Sequence, residues 1–304
     1  MPAPTVLTRL STLVAAAVML LFFCALASRA EAPGSQFRAI QVPGSKPDMR
    51  ENCPGLIASN RLPTLPAALI PAPPMPGAAI PAALGPDQAQ ITYVGHSTFL
   101  VESPKQVRIA TDYNDYVRPR LLPDIVTMNH AHSTHYSERP DPDIKYVLRG
   151  WREDGKPANH DVTYADVHVR SVSTNIRNWN GGTELNGNSI FIFEIGSLCI
   201  AHLGHLHHTL TQQQLDDIGH IDVLMVPVDG SYTMDMEGMA EVVEAIKAPL
   251  NIPMHFFSTP SLRHFLDLMG RKHELEFSTT PTMVVSKTSL PGRPKFMVLP
   301  GRPG

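Results

Sequence analysis

The sequence predicts a strand-rich mixed α/β domain, on three observations. Short apolar runs rich in Val, Ile and Phe recur from residue 90 onward, bounded by Gly, Asp, Asn or His. Stretches with helical spacing come only between the later runs. Several runs close on a histidine, an arrangement that pure packing does not require. The chain has 304 residues, a formal net charge of -3, 43% hydrophobic and 17% charged residues. That is enough for one large domain or two small ones. No Lys/Arg cluster appears, which argues against nucleic acid as a partner. A small-molecule substrate is the partner expected, and the sequence does not specify an oligomeric state.

Residues 1–32 read as a secretory signal peptide. Arg9 precedes an apolar run from Leu10 to Ala27, and the small-residue patterns Ala25-Leu26-Ala27 and Ala30-Glu31-Ala32 follow. Pro33 disfavours cutting after Ala32, so cleavage is expected after Ala27 or Ala30. The mature protein would then be periplasmic or secreted, with no membrane contact. An uncleaved N-terminal anchor is the alternative, since the run is close to spanning length. Cys24 lacks the small neighbours of a lipidation site. Residues 33–87 read as an extended proline-rich arm, because Pro71-Ala72-Pro73-Pro74-Met75-Pro76 suits neither a helix interior nor a central strand. Cys53 and Cys199 remain after cleavage. In an oxidising compartment they form a disulfide, or they stay two separate thiols with Cys199 buried in a strand.

Residues 88–304 form the expected folded domain. Strands are predicted at Gln90 to Val94, Thr98 to Glu102, Val107 to Thr111 and Ile125 to Met128. After an Asp/Pro-rich loop come Val167 to Val172, Ser189 to Glu194, Leu198 to His202, Asp222 to Val226 and Leu250 to Met254. Helices are predicted at Gln212 to Ile218 behind a Thr211 cap, at Met234 to Lys247, and at Pro260 to Met269.

The segment His130-Ala131-His132-Ser133-Thr134-His135 is the most informative in the chain. Neutral imidazole offers a lone pair to a cation near neutral pH. His130 and His132 share a face if the strand geometry persists, and His135 returns to them if Ser133-Thr134 turns. A polar loop that happens to be histidine-rich is the bland alternative. His205 and His255 close two further apolar runs, and Asp229 follows a third. His207 and His208 read as supporting groups or as a solvated helix approach. His160, His168, His220, His264 and His273 read as surface or packing residues. The loop from Thr174 to Gly182 carries Asn175 and Arg177.

These residues resemble the metallo-β-lactamase fold hydrolases, especially the branch of ascorbate-phosphate lactonase-like metal-dependent hydrolases. The match rests on Tyr93-Val94-Gly95-His96-Ser97-Thr98-Phe99-Leu100, Asp112 and the His130 to His135 motif. It continues through Gly187-Asn188-Ser189-Ile190-Phe191, His202-Leu203-Gly204, Val226-Pro227-Val228 and Ile252-Pro253-Met254-His255. The resemblance implies a four-layer αβ/βα sandwich with a metal site on one edge. It also implies three departures: Thr134 replaces the motif aspartate, Asn175 or a neighbour stands where a histidine ligand is expected, and His205 replaces a bridging aspartate. A neutral imidazole cannot bridge and offset two dications as a carboxylate does. One divalent metal is therefore expected, held by three or four of His130, His132, His135, His205 and His255. Zinc is the first choice, with iron or copper as alternatives.

The expected activity is an exported metal-dependent hydrolase acting on an ester, lactone, amide or phosphoester. Thr134 cannot act as a base, so His135 or His207 would take the proton. Arg177 would grip an anionic oxygen or make a surface ion pair, and Asn175 would donate to an oxyanion. His96 and Asp112 would orient ligands. The rival readings are a non-hydrolytic metal carrier or sensor and a mononuclear iron or copper redox protein.

Overall fold

Leu198-Cys199-Ile200-Ala201 shows how the sequence builds two layers. Alternate side chains point to opposite faces of a strand. Leu198 and Ile200 join one buried cluster, whereas Cys199 and Ala201 join another. A strand apolar on both faces must be covered on both. The computed structural model describes residues 83–178, 180–270 and 272–301. The expected signal peptide, its cleavage sites, nearly all of the proline-rich arm and Cys53 lie outside the described residues. Cys199 is fully buried and disulfide-bonded.

The described chain runs β1 (Gln88–Gly95), β2 (Thr98–Glu102), β3 (Arg108–Ala110), β4 (Ile125–Met128), β5 (Tyr146–Arg149), β6 (Asp161–Tyr164), β7 (Val167–Arg177), β8 (Thr183–Ile195) and β9 (Leu198–His202). It continues through α1 (Gln212–Ile218), β10 (Val223–Pro227), α2 (Met236–Ile246), β11 (Leu250–Met254), α3 (Thr259–Met269), β12 (Glu274–Phe277), β13 (Thr282–Ser286) and β14 (Lys295–Val298). One sheet has the order β13-β1-β2-β3-β4-β5 and the other β12-β14-β11-β10-β9-β8-β7-β6. Ile91, Phe99, Ile109, Phe191, Phe193, Ile200, Met225 and Ile252 fill the space between the sheets. Val242, Val243, Phe265 and Leu266 of α2 and α3 cover the outer face of the eight-stranded sheet over Leu224, Val226 and Phe296. On the outer face of the six-stranded sheet, Tyr113, Ile144 and Trp151 pack over Val126 and Met128. Among the described residues no helix lies there.

The helix starts follow from their caps. Thr211 and Gln214 form a reciprocal capping box on α1. Asp235 accepts from the Gly238 N–H and Ser258 from the Ser261 N–H. Helix α2 stops at Lys247, which takes a left-handed conformation.

Two features depart from the sequence expectation. Strands β5 and β6 lie in what read as the Asp/Pro-rich loop, and β12, β13 and β14 lie where no element was predicted, because these strands are only four or five residues long and mostly not buried. The polar segment after Val172 is not a loop up to Gly182. Strand β7 continues to Arg177 and pairs with β8, with the register shifting between Thr174 and Ile176. Asn175 is thus a bulge residue and Arg177 the last residue of a strand.

Candidate metal centre

The ends of β1, β4, β9, β10 and β11 meet at one edge of the sandwich. His96 lies in the β1–β2 turn, His135 beyond β4, His205 beyond β9, Asp229 beyond β10 and His255 at the end of β11. His96, Asp112 and His255 all have positive φ, at 52°, 43° and 53°. Non-glycine residues occupy this region at a cost, and surrounding contacts must hold them there. The His96 carbonyl accepts from the His255 N–H at 2.7 Å and from the Tyr93 hydroxyl at 2.8 Å. These bonds pin the two strained turns together.

The rings of His96, His135, His205 and His255 converge. Ring centroids lie 4.3 Å apart for His96 and His255, 4.5 Å for His135 and His205, and 4.9 Å for His205 and His255. One nitrogen from each of His96, His135 and His255 falls within a 4.8 Å set able to hold an ion. His135 Nε2 lies 2.8 Å from His205 Nδ1 and 3.2 Å from His255 Nε2.

The protons on these rings can be placed from their other partners. A carbonyl oxygen or an ionised carboxylate only accepts, so the ring nitrogen facing it carries the hydrogen. His135 Nδ1 shares a hydrogen with Asp112 Oδ2 at 2.6 Å, which leaves Nε2 facing inward. His255 Nδ1 donates to Asp229 Oδ1 at 3.1 Å. His205 Nε2 donates to the Tyr232 carbonyl at 3.1 Å. The inward nitrogens of His205 and His255 thus both approach His135 Nε2. Imidazole nitrogens gathered this closely form a donor set that suits a cation.

Electrostatics keep His135 and His205 neutral. Burial first, then the neighbouring imidazoles, hold His135 and His205 well below the usual histidine range. Burial and His255 lower His96 to about 4. Burial raises the Asp112 carboxyl, opposed by His202 and by hydrogen bonds from Ser97 and Asn129. Burial also pushes Asp229 upward, but His255, Thr233 and Ser231 outweigh it and hold the carboxyl well below its ordinary range. Behind the rings, Asn188 accepts the His205 N–H at 2.8 Å, and Asn129 donates to Asp112 Oδ1 at 3.0 Å. Gly204, at φ 63°, lets the chain pass both amides, since a Cβ there would sit 2.4 Å from each.

The remaining residues singled out in the sequence take other places. His130 does not join the cluster. Its ring stacks on Trp151 with centroids 5.0 Å apart, and Nδ1 contacts Glu184 Oε1 at 2.7 Å. The His130 N–H bonds the Gly187 carbonyl of β8, which draws this residue toward that strand. His132 stands edge-on to His205 at 4.9 Å, half-buried. Thr134 Oγ1 lies 3.1 Å from His96 Nε2. His207 spends both ring nitrogens on backbone, accepting from the Arg177 N–H and donating to the Tyr232 carbonyl. Burial, opposed by the Tyr232 bond, leaves its pKa at about 4. Arg177 pairs with no acid among the described residues. Its Nη2 donates to the Ser231, Tyr232 and Thr233 carbonyls. Asn175 Oδ1 accepts the Asn186 N–H at 3.0 Å, bracing the bulge. A cleft of about 580 Å³ opens beside the cluster, lined by His130, His132, Tyr136, Arg177, Glu184, His207 and Tyr232. The segment from Asp141 to Lys156 supplies β5 and the Trp151 platform rather than this wall.

Sequence reasoning treated His96 as support and assigned Asp229 no role. His96 lies in a short Gly-His-Ser turn with no apolar run ending on it. Asp229 follows Val226-Pro227-Val228 just as the histidines follow their strands, and that was the available signal.

This fold and edge site define a class. A profile of the Beta-lactamase superfamily domain matches residues 90–255, and the chain belongs to that superfamily. A UPF0173 metal-dependent hydrolase from Salinibacter ruber is 28% identical over 205 residues, covering 58% of this chain and 88% of its own. A second, from Thermoplasma acidophilum, is 25% identical over 194 residues, with 56% and 84% covered. A solved structure from Thermotoga maritima, described as a candidate Zn-dependent hydrolase of the metallo-β-lactamase superfamily, is 28% identical. It aligns with a TM-score of 0.51 over 69% of this chain and 98% of its own.

Proposed function

We propose that this protein is a metal-dependent hydrolase with one divalent ion, zinc by preference, held by His135, His205 and His255 with His96 beside them. One observation carries the reading: the inward nitrogens of His205 and His255 both approach His135 Nε2, while the outward ring nitrogens are spent on Asp112, Tyr232 and Asp229. An all-imidazole donor set suits zinc, and such supporting acceptors are how metal-bound histidines are oriented. The relatives named metal-dependent hydrolase support the same activity. When bound, the ion supplies Lewis acidity to a carbonyl or phosphoryl oxygen and to water.

The chain's own residues supply the rest. Arg177 holds the Tyr232 carbonyl where it orients His205 and His207. His130, on the cleft wall with Nδ1 on Glu184, is the imidazole we assign as proton acceptor. Water adds to the scissile carbon or phosphorus and its proton passes to His130; the bond to the leaving oxygen or nitrogen breaks, and that atom takes the proton back from His130, which regenerates the base. The substrate class is ester, lactone, amide or phosphoester. The apolar, signal-like N-terminus supports a periplasmic or secreted location.

The test is elemental analysis of purified protein with a hydrolase screen. Stoichiometric zinc with turnover supports the proposal. Bound metal with no turnover of any substrate class would favour a metal carrier, a rival reading to which Thr134 in the motif aspartate position lends weight.

A further inference from the structure

An aromatic rim stands beside the histidine cluster. Tyr232 is 60% exposed and Phe257 is 53% exposed, although side chains of this size usually bury most of their surface. Their rings meet edge to face at 5.4 Å. Phe257 lies 5.7 Å from the His96 ring and 5.3 Å from His255, and Tyr232 lies 6.4 Å from His132. The rim is anchored, because the Tyr232 carbonyl receives His205, His207 and Arg177, and Phe257 follows His255 by two residues.

The charge around the cleft points the same way. Arg177 is the one Lys or Arg among the described residues lining it, and its Nη2 is directed at three backbone carbonyls. The wall also carries Glu184, a carboxylate. Phosphate and carboxylate recognition calls for an open guanidinium fork or a cluster of cations. Exposed aromatic faces instead suit a flat apolar group, which gains contact area and stacking. A cleft of about 580 Å³ has the size of a small-ligand site.

We infer that Tyr232 and Phe257 determine specificity, and that the substrate is an uncharged ester, lactone or amide bearing an aryl or similarly flat apolar group. This rests on the hydrolase reading above and narrows it by excluding phosphoesters.

Two arms test it, one without catalysis. Naphthol and phenyl phosphate are titrated calorimetrically into metal-free full-length protein, wild type and Tyr232→Ala/Phe257→Ala. Naphthol should bind wild type about tenfold more tightly than it binds the double variant, and more tightly than phenyl phosphate binds. Tyr232→Phe should retain naphthol binding, since only the ring is required. In the second arm, zinc-loaded protein is assayed with naphthyl acetate and ethyl acetate. The ratio of kcat/KM values should fall about tenfold in the double variant. Equal naphthol binding by wild type and a folded double variant, or tighter binding of phenyl phosphate, overturns the inference. Naphthol binding without hydrolysis of any substrate would keep the recognition claim and overturn the hydrolase reading.

Discussion

Replacing Asp229 with Asn alters one oxygen and tests the logic of the centre. Asp229 Oδ1 faces His255 Nδ1 at 3.1 Å, while Oδ2 accepts the Ser231 N–H at 2.9 Å and the Thr233 N–H at 3.1 Å. Both oxygens must accept. Asparagine offers one accepting oxygen and one donating amide, so either His255 or the 231–233 loop meets a donor where it needs an acceptor. Loss of such a supporting partner lowers metal affinity 10- to 100-fold, or about 1.4–2.7 kcal/mol. The buried donor left unpaired costs a further ~1–3 kcal/mol of fold stability. Competition for zinc against a chromogenic chelator reads the first quantity, and urea unfolding of metal-free protein reads the second. A folded Asp229→Asn variant with wild-type zinc affinity would refute the claim that Asp229 sets the His255 tautomer.

Four further outcomes are expected. His255→Ala and His205→Ala should each remove most of the bound metal. His130→Ala should keep the metal and lose turnover, because that ring stacks on Trp151 instead of joining the cluster; metal content against kcat separates them. Gly204→Ala should destabilise the fold by about 2–5 kcal/mol, combining the left-handed φ with overpacking against Asn129 and Asn188, as read by urea midpoints. On β7, the Glu194 hydrogen bond and the second contact with Asp161 raise the His168 pKa above its ordinary value against the cost of burial. A raised folded-state value means the stabilisation is complete below the unfolded pKa of about 6.5 and is lost as pH climbs through the folded value. His168→Gln should flatten that alkaline decline in a series of thermal melts.

Much of the scaffold was readable locally. Strands such as β9 and β10 are nearly continuous apolar runs, and Thr211 and Pro260 mark helix starts, so short-range periodicity and capping chemistry suffice. Strands β12 to β14 were not readable, because they take their place from pairing with distant partners such as β11 and β1. The polar run through Asn175 and Arg177 misled for the same reason: a long hairpin with β8 holds it extended, whatever its composition.

The sequence by itself determined that imidazoles close several apolar strands, a matter of local pattern, whereas the two-sheet sandwich was implied by the resemblance of its motifs to a known fold. Which rings face one another was decided only in three dimensions. His96 enters the cluster because its turn is strained to positive φ and bonded to His255, and His130 leaves it because Glu184 and Trp151, remote in sequence, hold its ring. A side chain's direction depends on the backbone angle beneath it and on the partners across from it, and folding sets both.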